Sequence, residues 1–342
     1  MLSCMGISVM RKVDFLLLSR YRTQLMGIAA LFIILCHANS YRVLLPSVIE
    51  KVLNFGNIGV DMFLFLSGFG CYYSLKNSKI NTFKWILKRY RRIAIPYIVV
   101  QLVFLLYFIW LPNFSFADWL YEISTLSYWT NHLGCWYVAF LIPLYAITPP
   151  IFACLKEENK YRVVWLLFYL LVTIYLTNFM HNSIREDICI VCNVQMAFRR
   201  LPAFLLGMYM EPYIMNGRKI HLSILICFTI AGYLVFHILL PIYDWWLYVP
   251  FLLMGCCYLI RIIEKSIFGK LISWMGQASL ESYITNVETK AVMPSILENL
   301  RYQTILVGNY LGYALVIVIG LILTYFCHCV CNQINKKFLI KL

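Results

Sequence analysis

Apolar runs of eighteen or more residues recur along almost the whole chain, separated by short polar segments rich in Lys and Arg. Each run is about long enough to cross a ~30 Å hydrocarbon layer as a helix. Ten spans are predicted: 24–44, 55–75, 93–111, 134–154, 163–180, 198–214, 221–241, 245–263, 271–292 and 305–331. The sixth and ninth are shorter or more polar than the rest. Lipid gives the backbone no hydrogen-bond partner, and long apolar runs without alternation fit helices rather than barrel strands. The predicted fold is all-α, a polytopic transmembrane bundle of about ten spans forming one domain over 1–342. Residues 1–22 form a basic N-terminal segment and 332–342 a tail.

Composition fits this pattern: 62 % of residues are hydrophobic and 13 % charged, against roughly 25 % charged in a soluble domain. The net charge of +14 raises the question of nucleic acid, but Lys and Arg cluster between spans, where they act as topology signals. Twenty-two of the 29 basic residues fall on one side under strict alternation, among them Arg11, Arg20, Lys76, Lys88, Lys156, Arg218, Lys265 and Lys337. That side is cytoplasmic, which puts both termini in the cytoplasm. No segment between spans is long enough for a soluble domain, so the chemistry belongs in or at the bilayer. Most of the thirteen cysteines sit singly in apolar runs, where a thiol behaves as a small hydrophobe.

Three stretches carry candidate chemistry. His37 lies in the outer half of the first span, and a titratable group there is costly enough to imply a bundle-facing, functional role. Its ordinary pKa suits a general base; the plainer alternative is a hydrogen bond to a neighbouring helix. Asp61 enters the second span at a similar depth, either to orient an imidazole or to meet the positive end of its own helix. Ser67 and Gly68, further along that span, permit close helix approach. Arg89 and Arg92, three apart on one helix face, can grip phosphates bidentately at the cytoplasmic edge. An anchoring role explains Lys76 to Lys88 better than it explains this pair, which precedes an Ile93-x-x-Pro96 break.

In order, these stretches resemble the integral membrane acyltransferase-3 family of O-acyltransferases. The likeness extends to Trp136-Tyr137 with Pro143, Tyr145 and Pro149, to Arg200-x-x-x-Phe204-x-x-Gly207, and to Gly276-x-x-Ser279-x-x-x-Tyr283. It covers most of the chain. The resemblance implies transfer of an acyl group, usually acetyl, from cytoplasmic acyl-coenzyme A to a hydroxyl of a carbohydrate acceptor at the plasma membrane. It implies no bound cofactor. His37 would act as base or acyl relay with Asp61 beside it. Arg89 and Arg92, with Arg22 at the cytoplasmic edge, would bind the donor. Ser67, Gly68, Trp136, Glu281 and Asn286 would line the pocket. This picture needs one cavity open to both His37 and the arginine pair.

Two positions depart from the family pattern. Met26 stands where members carry an Arg eleven residues before the His, and Asn286 stands where many carry a second His. Leu141 and Ile142 occupy a stretch where an acidic residue is common. A glycan or lipid-linked sugar exporter is the competing reading, and a scaffold for assembly proteins a third. Cys327-His328-Cys329-Val330-Cys331 has a zinc-like composition, but ligands so close in sequence cannot surround one ion on an unbroken helix. Cys189 and Cys192 lie in an external loop open to oxidation, and His132 lies near the outer face.

Overall fold

The computed structural model describes residues 12–41, 45–109, 115–131, 134–183, 189–234, 245–299 and 310–339. Two short strands, β1 (Lys12–Asp14) and β2 (Lys219–His221), pair antiparallel; the remaining elements are helical. They are α1 (Leu16–Arg20), α2 (Arg22–Ser40), α3 (Ser47–Phe55), α4 (Ile58–Lys76), α5 (Thr82–Phe108), α6 (Phe116–Ile123), α7 (Leu126–Asn131) and α8 (Trp136–Leu155). There follow α9 (Arg162–Ser183), α10 (Cys189–Met215), α11 (Leu222–Leu234), α12 (Val249–Ile263), α13 (Ile267–Gln277), α14 (Ser279–Asn299) and α15 (Tyr310–Leu339). Among the described residues, helix occupies most of each predicted span. Among the described residues five stretches are long and apolar enough to cross a membrane: Ser47–Lys76, Thr82–Phe108, Trp136–Leu155, Arg162–His181 and Tyr310–Lys337.

Two expectations need correction. The Ile93-x-x-Pro96 stretch is not a break: α5 begins at Thr82, ahead of the expected 93, capped by the Asn81 side chain, and runs through the proline. In lipid, forgoing one helical hydrogen bond is cheaper than ending the helix and exposing several. The ninth span is not one helix but two, divided at Ala278, two residues after Gly276. Short helices α3, α6 and α7 lie in the connectors. On α3, Val48, Ile49 and Val52 are exposed and no residue is buried.

The chain packs as two compact units. One comprises residues 1–29, 58–78 and 148–276, and its centre is the crossing of α4 and α10. Gly68 faces the Phe204 carbonyl oxygen and Gly207 faces that of Phe65, each so closely that a Cβ would overlap it. Without a hydrophobic drive between helices, such backbone contact is how membrane helices gain packing energy. Gly27 and Gly276 make a second crossing of this kind, against the carbonyls of Ile272 and Thr23. Replacing Gly207 with leucine is expected to destabilise the fold by about 3 kcal/mol or more, at or above the upper end for overpacking. Thermal unfolding in detergent measures this, with Gly255→Ala as the control, since nothing lies within 4 Å of that position.

Polar contacts knit the connectors of this unit at one end. β1 pairs with β2, joining the N-terminal segment to the connector after α10. The Tyr21 hydroxyl donates to Glu264 at 2.8 Å, just beyond α12. Lys76 pairs with Glu157 at 3.4 Å, and the Glu157 amide donates to the Tyr72 hydroxyl at 2.9 Å. Arg162 donates to the Tyr209 carbonyl at 2.7 Å. All these connectors are among those expected on the Lys/Arg-rich side.

The other unit comprises residues 30–57, 79–147 and 277–342. Helices α5, α14 and α15 pack against one another in it. Ala38 and Tyr41 bury against Met293, Tyr313 and Val316, and the Tyr313 hydroxyl donates to the Ile34 carbonyl. Near the middle of α5, the Tyr97 hydroxyl reaches the Glu122 carbonyl at 3.2 Å, which ties α6 to the helix.

Candidate active site

Helix α14 is far more polar than a buried membrane helix should be. Glu281, Ser282, Thr285, Asn286, Glu288 and Thr289 are all buried on it. Each neighbour within the unit supplies a partner. From α5, the Gln101 amide donates to Glu288 at 2.7 Å. From α15, the Thr324 hydroxyl lies 2.7 Å from that of Thr285, and His328 Nδ1 lies 3.1 Å from Glu281. From α2, His37 Nδ1 lies 2.7 Å from Asn286 Oδ1. Polar groups placed at this cost inside a membrane mark function or a proton or substrate path.

The His37–Asn286 contact fixes the imidazole chemically. An amide oxygen only accepts, so Nδ1 carries the proton and Nε2 keeps its lone pair. Nε2 is therefore the basic, nucleophilic nitrogen. A neutral amide orients the ring as the third member of a triad does, without adding a charge to stabilise the imidazolium. Tyr283 stands beside the ring at a centroid distance of 6.4 Å, and Tyr137 meets Tyr283 edge-on at 5.5 Å. Lys290 follows Asn286 by one turn on the same face.

The other expected site residues are placed as follows. Asp61 is buried and ion-paired with Arg200 in the first unit; the imidazole's Nδ1 partner is Asn286. Arg22 lies along α4 with its guanidinium 3.2 Å from the Leu66 carbonyl, in room that Gly70 leaves for it. Ser67 is buried and Gly68 is a helix-crossing point, so packing accounts for both. Arg89 is half-buried with its guanidinium 5.1 Å from the Trp85 ring, while Arg92 is exposed. Trp136 stacks on Phe140 at the start of α8. Glu281 pairs with His328, which gives that histidine a partner other than a metal. His132 and the Cys189 side chain fall outside the described residues.

Two pairings escape the motif reading. Arg200 opens a family motif, but nothing in it names Asp61 as its partner, and Gln101 and Glu288 signal themselves only as polar residues in apolar runs. Arg92 and Gln101 are nine residues apart on α5, or about 14 Å along the axis. The basic pair and the buried polar spine thus share one continuous helix. A cavity of about 250 Å³ lies between α5, α14 and α15, and neither His37 nor the arginine pair lines it.

The acyltransferase-3 family model, described as an acyltransferase domain, matches residues 24–331. No curated protein and no solved structure matched the chain.

Proposed function

The chain belongs to the family of membrane acyltransferase-3 proteins, and from that premise we propose that it is an O-acyltransferase of the plasma membrane with ten spans and cytoplasmic termini. It moves an acyl group, acetyl in the usual case, from cytoplasmic acyl-coenzyme A to a hydroxyl of a surface or exported glycan. The observation that carries this reading is the His37 imidazole, held by Asn286 inside a helical unit that also bears Arg89 and Arg92. Nε2 takes the acceptor proton as a general base or receives the acyl group as a relay. Arg89 and Arg92 bind the donor phosphates as paired guanidiniums. The knitting of basic connectors at one end of the first unit supports the topology, since an even number of predicted spans separates each connector from the next.

Membranes containing the protein, given labelled acetyl-coenzyme A and a co-expressed glycan, are expected to transfer label to the glycan. Movement of the glycan at unchanged mass and without need of a donor is the result of an exporter, and it overturns the proposal. In the same assay Arg89→Gln and Arg92→Gln are each expected to raise KM for the donor by about 10- to 100-fold, as fits loss of a charge-assisted hydrogen bond worth roughly 1.5–3 kcal/mol. The turnover number should change little, because the pair contacts the donor away from the reacting carbonyl.

A further inference from the structure

One turn beyond the His37–Asn286 contact, each of the two helices carries a hydrogen-bond donor with nothing to donate to. After α2 it is Tyr41, whose amide still bonds the His37 carbonyl at 3.0 Å. On α14 it is Lys290, four residues after Asn286, and residues so spaced share a helix face. Tyr41 is 4 % exposed, and its hydroxyl is buried without a hydrogen-bond partner. Tyr313 beside it, at a ring distance of 5.6 Å, donates its hydroxyl to Ile34 instead. Lys290 is half-buried and forms no ion pair among the described residues. The two donors are neighbours, since Met293, three residues beyond Lys290, packs in the same cluster as Tyr41.

The fold accounts for neither residue. A lysine that anchors a helix at the membrane rim keeps its ammonium in water. The predicted topology also puts Lys290 on the side poor in Lys and Arg, where no orienting signal is required. The nearest acid in sequence, Glu288, stands about 200° round the helix, with the Gln101 amide on its carboxylate. An ammonium withdrawn from water and a phenol O–H without an acceptor are both costly, and one ligand relieves both. That ligand is an anion, which accepts from each. A neutral hydroxyl would satisfy Tyr41 and leave the charge of Lys290 unmet.

We infer that Tyr41 and Lys290 form an anion subsite that takes the acidic group, a carboxylate or a phosphate, of the acceptor. This rests on the acyltransferase reading and gives it a substrate class: an acidic sugar. Its reacting hydroxyl meets the imidazole, and its acidic group lies one helical turn, ~5 Å, further along the two helices.

Calorimetry on the purified full-length protein tests the subsite with two matched pairs of probes. One pair is a glucuronic-acid tetrasaccharide and its carboxyl-reduced, neutral counterpart; the other is a polyprenyl-phosphate sugar and the uncharged polyprenyl glycoside. At least one acidic probe is expected to bind about 10- to 100-fold tighter than its neutral partner, the gain of a charge-assisted hydrogen bond. Which pair shows the gain tells a carboxylate from a phosphate. Lys290→Met is expected to erase it and Lys290→Arg to keep most of it. Tyr41→Phe, which leaves the ring on Tyr313, is expected to reduce it about tenfold. Thermal unfolding reports which variants are folded, and Tyr41→Phe decides the matter where Lys290→Met is not. Equal affinity for acidic and neutral probes overturns the inference, as does a preference that survives Lys290→Met and Tyr41→Phe, or failure of both acidic probes to bind. Transfer of label from acetyl-coenzyme A to the co-expressed glycan decides the acyltransferase reading separately in each case.

Discussion

His37→Ala is expected to lower acyl transfer by about 10²–10⁴-fold, the range that a positioned general base supplies. Nδ1 is committed to Asn286 at 2.7 Å, so removal of the ring eliminates the basic nitrogen and leaves Asn286 facing a void. The vacated amide costs stability too, roughly 1–3 kcal/mol, so thermal unfolding must accompany the kinetics. His37→Gln separates the two effects, because it keeps a polar group near Asn286 but offers no titratable nitrogen. Donor affinity, measured by binding of acyl-coenzyme A, should stay within about twofold in both variants, since Arg89 and Arg92 are untouched. Transfer within about tenfold of the unmodified protein would remove His37 from the chemistry.

The second large effect is on folding. Asp61 and Arg200 are 1 % and 8 % exposed and pair with each other at the centre of the first unit. Removing one member of a buried pair leaves a charge in a medium that cannot solvate it, at about 3–5 kcal/mol. Asp61→Ala and Arg200→Ala are therefore each expected to accumulate poorly and to unfold at markedly lower temperature. Replacing both together, Asp61→Leu with Arg200→Met, should recover most of the loss, because well-packed apolar residues often substitute for a buried pair at little cost. The double variant also separates structure from catalysis. If it is folded and active, Asp61 is structural; if it is folded and inactive, Asp61 acts in the reaction as well.

Span-length apolar runs made the helices legible, because in lipid the local sequence alone decides whether the backbone can satisfy itself. The same rule explains where the reading slipped. Pro96 looks like a stop by solution propensities, yet α5 continues through it. Gly276, two residues before the division at Ala278, packs against the Thr23 carbonyl some 250 residues earlier in the chain. Site residues show the same split. His37, Asn286, Asp61 and Glu281 each announce themselves as polar groups in apolar surroundings, so the cast was visible. Who pairs with whom was not. Asp61 was the expected neighbour of the imidazole, whereas its carboxylate is taken by Arg200 and the amide of Asn286, 249 positions away, holds the ring. Pairing is a property of helix rotation and register, which no single span encodes.

Arg22 carries a further consequence. Its guanidinium already holds a backbone carbonyl at Leu66, so the side chain is tethered to α4 and presents only its remaining N–H groups to an anion. Positive charge at a membrane rim is thus not a uniform resource: a cation tethered to the scaffold holds helices together first and attracts anionic groups weakly.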